Sequence, residues 1–257
     1  MSAYPDIPEE HLDALAIGPH RDDVELSCGA TLVKLRKRGY RVGIADLTAG
    51  EMGTRGTAKE RAEEARCAAR ALGITYRVNL GLPDARIEPD AHTMNALIRL
   101  IRATRPTLVL APHPEEGRHP DHGAAGRLVP DAVFRAGLAK WETGQPHHRP
   151  LRVIHYMMHS LFLPTFVVDV TEEWDAKMAA IRCYASQLNV PGANPGGEPT
   201  YISSPHFLGT IEARGRYYGA QIAATYGEAF YQRELMRVED PMSLALGSVE
   251  RFAQKNA

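Results

Sequence analysis

Long apolar runs are missing from this 257-residue chain. No segment approaches the ~18 consecutive apolar residues that predict a membrane-spanning helix, so we expect no membrane span. The opening residues, MSAYPDIPEEHLD, are acidic and lack the apolar centre of a secretory signal. We expect residues 1–11 to form a loose N-terminal arm rather than a targeting segment.

An excess of charge of either sign is also missing. Lysine and arginine total 30, aspartate and glutamate total 31, and the formal net charge is −1 at pH 7. A protein that gathers nucleic acid needs a basic surface that neutralises phosphates, and this composition does not supply one. We expect a small-molecule partner, and neither nucleic acid nor a membrane.

Cysteine is scarce, and the three residues Cys28, Cys67 and Cys183 show no Cys-x-x-Cys spacing. Scattered cysteines favour a reducing, cytoplasmic setting and argue against a disulfide framework. Cys28 is close in sequence to the candidate metal residues described below. We interpret it as a small buried filler, and an extra metal ligand is the less favoured alternative.

What the chain does contain is a regular alternation of apolar runs and helix-like segments. The predicted strands cover about residues 12–18, 41–47, 76–80 and 107–111, and the predicted helices about 26–38, 58–72, 91–104 and 122–139. This order is typical of a mostly parallel sheet with helices on both faces, a Rossmann-like α/β fold of three layers. Right-handed crossovers then bring the loops that follow the strands to one edge of the sheet.

The C-terminal part continues this pattern less regularly. Strands are predicted at 153–158 and 166–170, Thr171 is predicted to cap a helix reaching Gln187, and a final helix is predicted from Pro205 to about Tyr226. The proline- and glycine-rich residues 188–204 are interpreted as a lid or a subunit contact. We expect one domain over residues 1–257, with 240–257 as a peripheral tail.

Two polar motifs follow two of the predicted strands. PHRDDVE, residues 19–25, follows the first strand, and RHPDH, residues 118–122, follows the fourth. Since both lie at the same predicted edge, His20, Asp23 and His122 form a plausible set of three metal ligands. Two imidazoles and one carboxylate suit zinc and leave a fourth position for water, as in catalytic sites. A polar turn without a metal is the usual meaning of a lone His-x-Asp-Asp, and the second motif favours the metal.

Neighbouring side chains supply what hydrolysis needs besides a metal. Zinc lowers the pKa of bound water to ~7. Asp22 adjoins Asp23 but points elsewhere on the turn, so it is the candidate general base. His119, as an imidazolium, is a candidate for stabilising an oxyanion, and Asp121 is a candidate for orienting and charging that ring.

These motifs carry a family resemblance. The run ALAIGPHRDDVELSCGATLVKL resembles the opening of the LmbE-like (PIG-L) zinc deacetylases, and RHPDH resembles their second metal motif. Further runs are similar to the bacillithiol-biosynthesis branch, which removes the acetyl group from N-acetylglucosaminyl-malate: LTAGEMGTRGT, EEARCAARALG, NLGLPDARI, FVVDVTEEWDAKMAAIRCYASQ and IEARGRYYGAQIAATYGEAF. The resemblance covers about residues 13–230.

The resemblance implies a site and a substrate class. It implies one Zn²⁺ per chain, with other divalent metals as alternatives, held by His20, Asp23 and His122. It further implies Asp22 as general base, His119 as the charged partner of the oxyanion, an N-acetylated sugar conjugate as substrate, and a homo-oligomer, trimer or hexamer. The sequence departs from the family at Arg21, where proline is usual and would fix φ. The loop HPEEG before RHPDH also departs from the family's aromatic-rich form.

Four more residues are candidates for lining the site. Arg55, in a glycine-rich loop, is predicted to bind a substrate carboxylate such as that of malate, and a solvated arginine is the alternative. Asp84 is predicted to contact a sugar hydroxyl, and a turn-forming aspartate after proline is the alternative. Arg118 is a further candidate for substrate binding. His159, between two predicted strands, is less favoured as a cleft residue.

The sequence therefore predicts a zinc-dependent hydrolase that deacetylates an N-acetylglucosaminyl conjugate. Cleavage of a bacillithiol S-conjugate at its amide, or deacetylation of another N-acetylated sugar, needs the same machinery and stays open as an alternative. A phosphoesterase is less favoured because it would typically require two metals and more carboxylates. A non-catalytic binding protein on the same scaffold is the remaining alternative. The pair Glu212 and Arg214 lies near the cleft or an interface, and the sequence does not choose between them.

Overall fold

A seven-stranded sheet forms the centre of the molecule. The computed structural model describes residues 7–190 and 197–242, and the strand order is β3-β2-β1-β4-β5-β7-β6. The strands are β1 (Ala14–Gly18), β2 (Val42–Thr48), β3 (Tyr76–Leu82), β4 (Leu108–Pro112), β5 (Arg152–Tyr156), β6 (Phe166–Asp169) and β7 (Gly227–Tyr231). Strands β1 to β5 pair in parallel, and β7 is antiparallel to both β5 and β6. The predicted mostly parallel sheet is confirmed.

Helices cover both faces of this sheet. They are α1 (Asp23–Lys37), α2 (Ala58–Leu72), α3 (Ala91–Thr104), α4 (Pro120–Ala136), α5 (Trp174–Arg182) and α6 (Phe207–Gln221). Alternate residues of β1 show how two cores arise: Ala14 and Ala16 belong to one cluster, and Leu15 and Ile17 to the other. Such a period of two, with both faces apolar, is what a central strand covered on both sides requires.

Local capping explains why α2 begins and ends where the sequence predicts. The Thr57 side chain accepts from the Glu60 amide while the Glu60 carboxylate accepts from the Thr57 amide, which is a capping box. Gly73 then closes the helix in the left-handed conformation at φ 69°. Asp90 caps α3 in a similar way by accepting from the Thr93 amide. Both helices span their predicted residues.

The C-terminal part corrects the sequence-based boundaries. The predicted helix from Thr171 to Gln187 is a short 3-10 turn, Thr171–Glu173, followed by α5, which ends at Arg182. The final helix ends at Gln221, and β7 was not predicted at all. Its sequence, GEAFY, places a charged residue in a buried strand, which conceals the apolar signal. The loop 188–204 and the tail 240–257 fall partly outside the described residues, as does the arm 1–11.

The prediction that the cysteines form no disulfide was wrong, and the interpretation of Cys28 as a buried residue is confirmed. Cys67 on α2 and Cys183 just after α5 form a disulfide that closes a separation of 116 residues, and Cys28 is free and buried. Sequence spacing could not reveal the pair because only the packing of α2 against α5 brings the two residues together. The scattered positions therefore no longer argue for a reducing compartment. Within the described residues, no helix is both long enough and apolar enough to cross a membrane.

Candidate active site

The two polar motifs meet at the carboxyl edge of the sheet, as predicted. Residues 19–22 form the turn between β1 and α1, and residues 113–119 connect β4 to α4. Between them lies a cleft of about 540 Å³. Its lining consists of His20, Asp22, Asp23, Leu26, Met52, Gly53, Thr54, Arg61, Asp84, Ala85, Arg118, His119, His122, His159, Gln187, Thr200, Tyr201 and Ile202.

Three potential ligand atoms converge at the floor of this cleft. Nδ1 of His20 lies 3.1 Å from a carboxylate oxygen of Asp23 and 3.3 Å from Nε2 of His122. That Nε2 lies 3.4 Å from the other Asp23 oxygen. Ligand atoms on a tetrahedral ion with bonds of ~2.0–2.1 Å are separated by about 3.3 Å. The spacing and chemistry of this donor set therefore fit a zinc-sized ion.

The structure also brings together two overlapping groups that could hold a metal ion. In one group, His20, His119 and His122 each offer a ring nitrogen, and in the other His20 joins Asp84 and Asp121. Within each group the ligand atoms lie within 4.8 Å of one another. His20 belongs to both because its two ring nitrogens face opposite sides.

Carboxylates surround the His20 ring. Its Nε2 lies 3.1 Å from Asp84 and 3.6 Å from Asp121. Burial opposes a charged ring, but the carboxylates of Asp121, Asp23 and Asp84 together raise the pKa of His20 well above its ordinary value. Such a carboxylate–histidine contact fixes the ring's orientation and leaves Nδ1 for a metal.

The Asp84 carboxylate already has hydrogen-bond partners within the protein. Besides His20, its carboxylate accepts from the Met52 amide at 2.8 Å. Burial works against ionisation, but the hydrogen bonds from His20 and Met52 lower the pKa of Asp84 to about 2. Its side chain is only 5% exposed, so a sugar hydroxyl competes here with two protein partners. The predicted sugar contact of Asp84 stays a prediction.

Asp22, the predicted base, lies against a buried arginine. Its Oδ1 is 3.5 Å from Nη2 of Arg61, and both side chains are nearly inaccessible. Arg61 projects from the inner face of α2 and also donates to the Gly50 carbonyl at 3.2 Å. Sequence reasoning missed Arg61, although it is the one cation in the apolar stripe that continues with Ala65, Ala68 and Leu72. A charged residue in such a stripe signals a buried partner.

His119 and Asp121 each accept hydrogen bonds from backbone amides. Nδ1 of His119 accepts from the Asp121 backbone amide at 3.2 Å and so caps α4. The Asp121 carboxylate instead accepts from the amides of Ala85 and Ile87, at 2.8 and 3.1 Å, which ties α4 to the loop after β3. Burial and the neighbouring His20 and His122 lower the pKa of His119. A neutral ring with Nδ1 as acceptor carries its proton on Nε2.

The two arginines predicted to bind substrate differ in their surroundings. Arg55 donates from Nε to the Ser186 carbonyl at 3.1 Å and from Nη1 to the carbonyls of Gly197 and Glu198. Its guanidinium thus holds two loops together and is absent from the cleft lining. Arg118 lines the cleft, is exposed, and stacks 3.4 Å above the Tyr201 ring. Substrate binding by either residue stays a prediction.

One wall of the cleft was largely missed by the sequence analysis. His159 lines it, which bears out the less favoured alternative, and its ring lies nearly parallel to that of His122 at 5.9 Å. The buried Glu116 accepts from the amides of Arg118, His159 and Ser160 and so joins two loops. Burial opposes ionisation, but the hydrogen bonds from Ser160 and Arg118 lower the pKa of Glu116. Its position in HPEEG gave no sign of this role.

Arg21 compensates for the absent proline in the first motif. Its guanidinium donates to the carbonyls of Ala58 and Ala49, at 2.6 and 3.4 Å. Its own carbonyl accepts from Arg77, at 2.6 Å, and from the Tyr184 hydroxyl. The turn is therefore fixed from both sides by hydrogen bonds rather than by a restricted φ.

Comparisons with known proteins identify relatives of this chain. The family model PIG-L, described as GlcNAc-PI de-N-acetylase, matches residues 15–133. Diacetylchitobiose deacetylase from Thermococcus kodakarensis is 33% identical over 68% of this chain and 69% of its own length. A Bacillus cereus protein named probable N-acetyl-alpha-D-glucosaminyl L-malate deacetylase 2 is 30% identical over 70% of this chain and 84% of its own.

A solved structure is also similar to this chain, and one relative is named for a different activity. The conserved protein TT1542 from Thermus thermophilus matches 89% of this chain and 98% of its own at 36% identity, with a TM-score of 0.80. A Pseudomonas putida relative, 26% identical over 68% of this chain and 73% of its own, is named 4-oxalmesaconate hydratase. Together the family model and the relatives show that this chain belongs to the PIG-L family of GlcNAc-PI de-N-acetylases.

Proposed function

We propose that the protein is a zinc-dependent deacetylase of an N-acetylated amino sugar. The observation that carries the proposal is the convergence of His20 Nδ1, an Asp23 carboxylate and His122 Nε2 within 3.4 Å of one another. These atoms would hold the ion, with Asp84 orienting His20 through Nε2. When bound, zinc supplies a Lewis acid that brings the pKa of water to ~7.

The remaining steps are assigned to side chains of the cleft. Asp22 takes a proton from the attacking water as the new oxygen–carbon bond forms at the acetyl carbonyl. His119 donates from Nε2 to the carbonyl oxygen, where negative charge develops. The carbon–nitrogen bond then breaks, and Asp22 returns its proton to the departing amine. Acetate and a free amino sugar are the products.

His119 acts here as a neutral donor rather than as the imidazolium that the sequence suggested. The amide of Asp121 donates to its Nδ1, and burial with two neighbouring histidines lowers its pKa. A neutral ring still presents an Nε2 proton, so the hydrogen bond to the oxyanion does not need a charged ring. Arg61 balances the charge of Asp22 from the opposite side.

For the substrate, we propose N-acetylglucosaminyl-L-malate. Support comes from the Bacillus cereus relative, which is named as a probable deacetylase of this compound, and from the exposed residue Arg118 at the cleft, whose guanidinium suits a carboxylate. The Thermococcus relative, named for diacetylchitobiose, makes a neutral disaccharide the second candidate. A bacillithiol S-conjugate is the third.

The test is acetate release by zinc-loaded protein from these three compounds and from N-acetylglucosamine, with Asp22→Asn assayed beside the wild type. We expect the fastest turnover with the malate conjugate and a loss of about 10²–10⁴-fold in kcat for the variant. Zinc content of both proteins is measured in the same samples. Release by zinc-bound Asp22→Asn at the wild-type rate would overturn the mechanism, and no release from any acetylated sugar would overturn the function.

A further inference from the structure

The helix that carries Asp23 is broken one turn after it begins. Cys28 has φ −131° and ψ 17°, which is not helical, so α1 consists of a first turn, residues 23–27, and a longer second part. In an unbroken helix, the amides of Ala30 and Thr31 would donate to the carbonyls of Leu26 and Ser27. Because the helix is broken at this point, these four buried backbone groups require other hydrogen-bond partners.

Three charged side chains supply these partners. Glu228 accepts from the amides of Ala30 and Thr31 at 3.2 and 2.7 Å. Lys177 donates to the Ser27 carbonyl at 3.2 Å, and Arg214 donates to the Leu26 carbonyl at 3.1 Å. Each of the four groups that an unbroken helix would pair with one another thus has a charged side chain as a partner.

The charges also fit the two ends that the break creates. The first turn ends in carbonyls, where the helix dipole favours cations, and the second part begins with amides, where it favours an anion. Lys177 and Glu228 pair with each other at 2.6 Å and are 1% and 4% exposed. A buried pair of this kind contributes little net stability against an apolar replacement, but here both partners also bond to backbone groups of α1, so the pair fixes the geometry of the break.

All three side chains come from the C-terminal third of the chain, on α5, α6 and β7, and none of them lines the cleft. We propose that Lys177, Arg214 and Glu228 are positioning residues that set the tilt of the first turn of α1 and so aim Asp23 at His20 and His122. This inference rests on the proposed metal site. The three side chains do not touch the substrate or the ion.

A second set of ion pairs provides the matched control. Lys34 and Lys37, farther along α1, pair with Glu173 at 3.2 and 2.9 Å. They also join α1 to the C-terminal third, but they act on the regular second part of the helix and not on the break. Loss of the Lys37 contact should therefore change stability without changing the metal site.

The experiment measures cobalt(II) binding by the full chain, using chelator competition and the visible absorption of the bound ion, for the wild type, Lys177→Met, Glu228→Gln and Lys37→Met. We expect Lys177→Met and Glu228→Gln to weaken cobalt binding about tenfold or more and to alter the absorption bands. Lys37→Met should keep the wild-type affinity and spectrum. Deacetylase kcat should fall in the first two variants with little change in KM.

A change in cobalt binding caused by altered positioning of Asp23 must be distinguished from one caused by loss of stability. Where Lys177→Met or Glu228→Gln does not fold, Arg214→Lys takes its place, because it keeps a cation near the Leu26 carbonyl with altered reach, and it should fold and still bind cobalt weakly. Folded variants at Lys177, Arg214 or Glu228 that bind cobalt with the wild-type affinity and spectrum would overturn the inference. A wild type that binds no cobalt would overturn it as well. A wild type that binds cobalt but deacetylates nothing overturns the proposed function alone.

Discussion

Arg61 and Asp22 form an ion pair inside the protein, with 3.5 Å between Nη2 and Oδ1 and side chains 5% and 6% exposed. A charged base can be kept away from bulk water only where a partner compensates its charge. The pair thus explains how a carboxylate can remain at the floor of the cleft, next to a second carboxylate, Asp23.

The first prediction concerns this pair. Arg61→Met leaves Asp22 buried without its cation, so we expect the free energy of unfolding to fall by about 3 kcal/mol and kcat to fall with it. Urea denaturation and steady-state kinetics measure the two effects. The control is Arg66→Met on the same helix, because the Arg66–Glu63 pair is exposed and should contribute under ~1 kcal/mol. Equal effects of the two substitutions would contradict the assignment.

The second prediction concerns Asp84. Asp84→Asn removes the charge that orients His20, and we expect zinc affinity to fall about 10–100-fold. Because the pKa of Asp84 is about 2, the carboxylate itself is ionised throughout pH 5 to 9, so any change in the ratio of wild-type to variant affinity over that range reports the titration of His20, whose pKa Asp84 helps to raise. Chelator competition at several pH values measures it. Asp131→Asn, at an exposed position of α4, is the control and should have no effect.

The third prediction concerns the disulfide. Cys67 and Cys183 close a large loop, so reduction is expected to lower the free energy of unfolding by about 3–5 kcal/mol. Thermal denaturation with and without a dithiol reductant measures this loss. The double variant Cys67→Ser/Cys183→Ser should resemble the reduced wild type and should not respond to the reductant. If the reductant destabilised that variant too, the loss of stability would not come from reduction of the Cys67–Cys183 disulfide.

The fourth prediction concerns a glycine beneath the second motif. A Cβ at Gly126 on α4 would lie 2.7 Å from backbone atoms of His113 and Pro114, which cannot easily move. Gly126→Ala should therefore destabilise the protein by about 1–3 kcal/mol and weaken zinc binding through α4. Gly209 on α6 has open space around it, so Gly209→Ala should be neutral or stabilise by up to ~1 kcal/mol. Denaturation curves give the free energy of unfolding of the two variants, and equal values for both would contradict the prediction.

The sequence predicted well those features that local pattern and spacing encode. Helices α2 and α3 follow their caps and their apolar stripes, and the strands β1 and β4 follow their apolar runs. The convergence of His20, Asp23 and His122 followed from the rule that loops after parallel strands share an edge.

Features that depend on distant partners escaped prediction. The role of Arg61 requires Asp22 on another element, and the role of Arg55 requires carbonyls some 130 residues away. Strand β7 pairs with β5 and β6, and its Glu228 is a capping group for α1 rather than a strand residue in an apolar run. No local pattern records such contacts.

The contact between Glu228 and α1 also sets an order of events during synthesis. Residues 15–133 contain both polar motifs, but the amides of Ala30 and Thr31 gain their carboxylate only when residue 228 is available. The nascent chain emerges at ~5–20 residues per second, so close to two hundred residues must be added after α1 before its break is capped. The proposed metal site therefore completes only after β7 has been synthesised, and a chain stopped before β7 carries every proposed metal ligand without the contacts that align them.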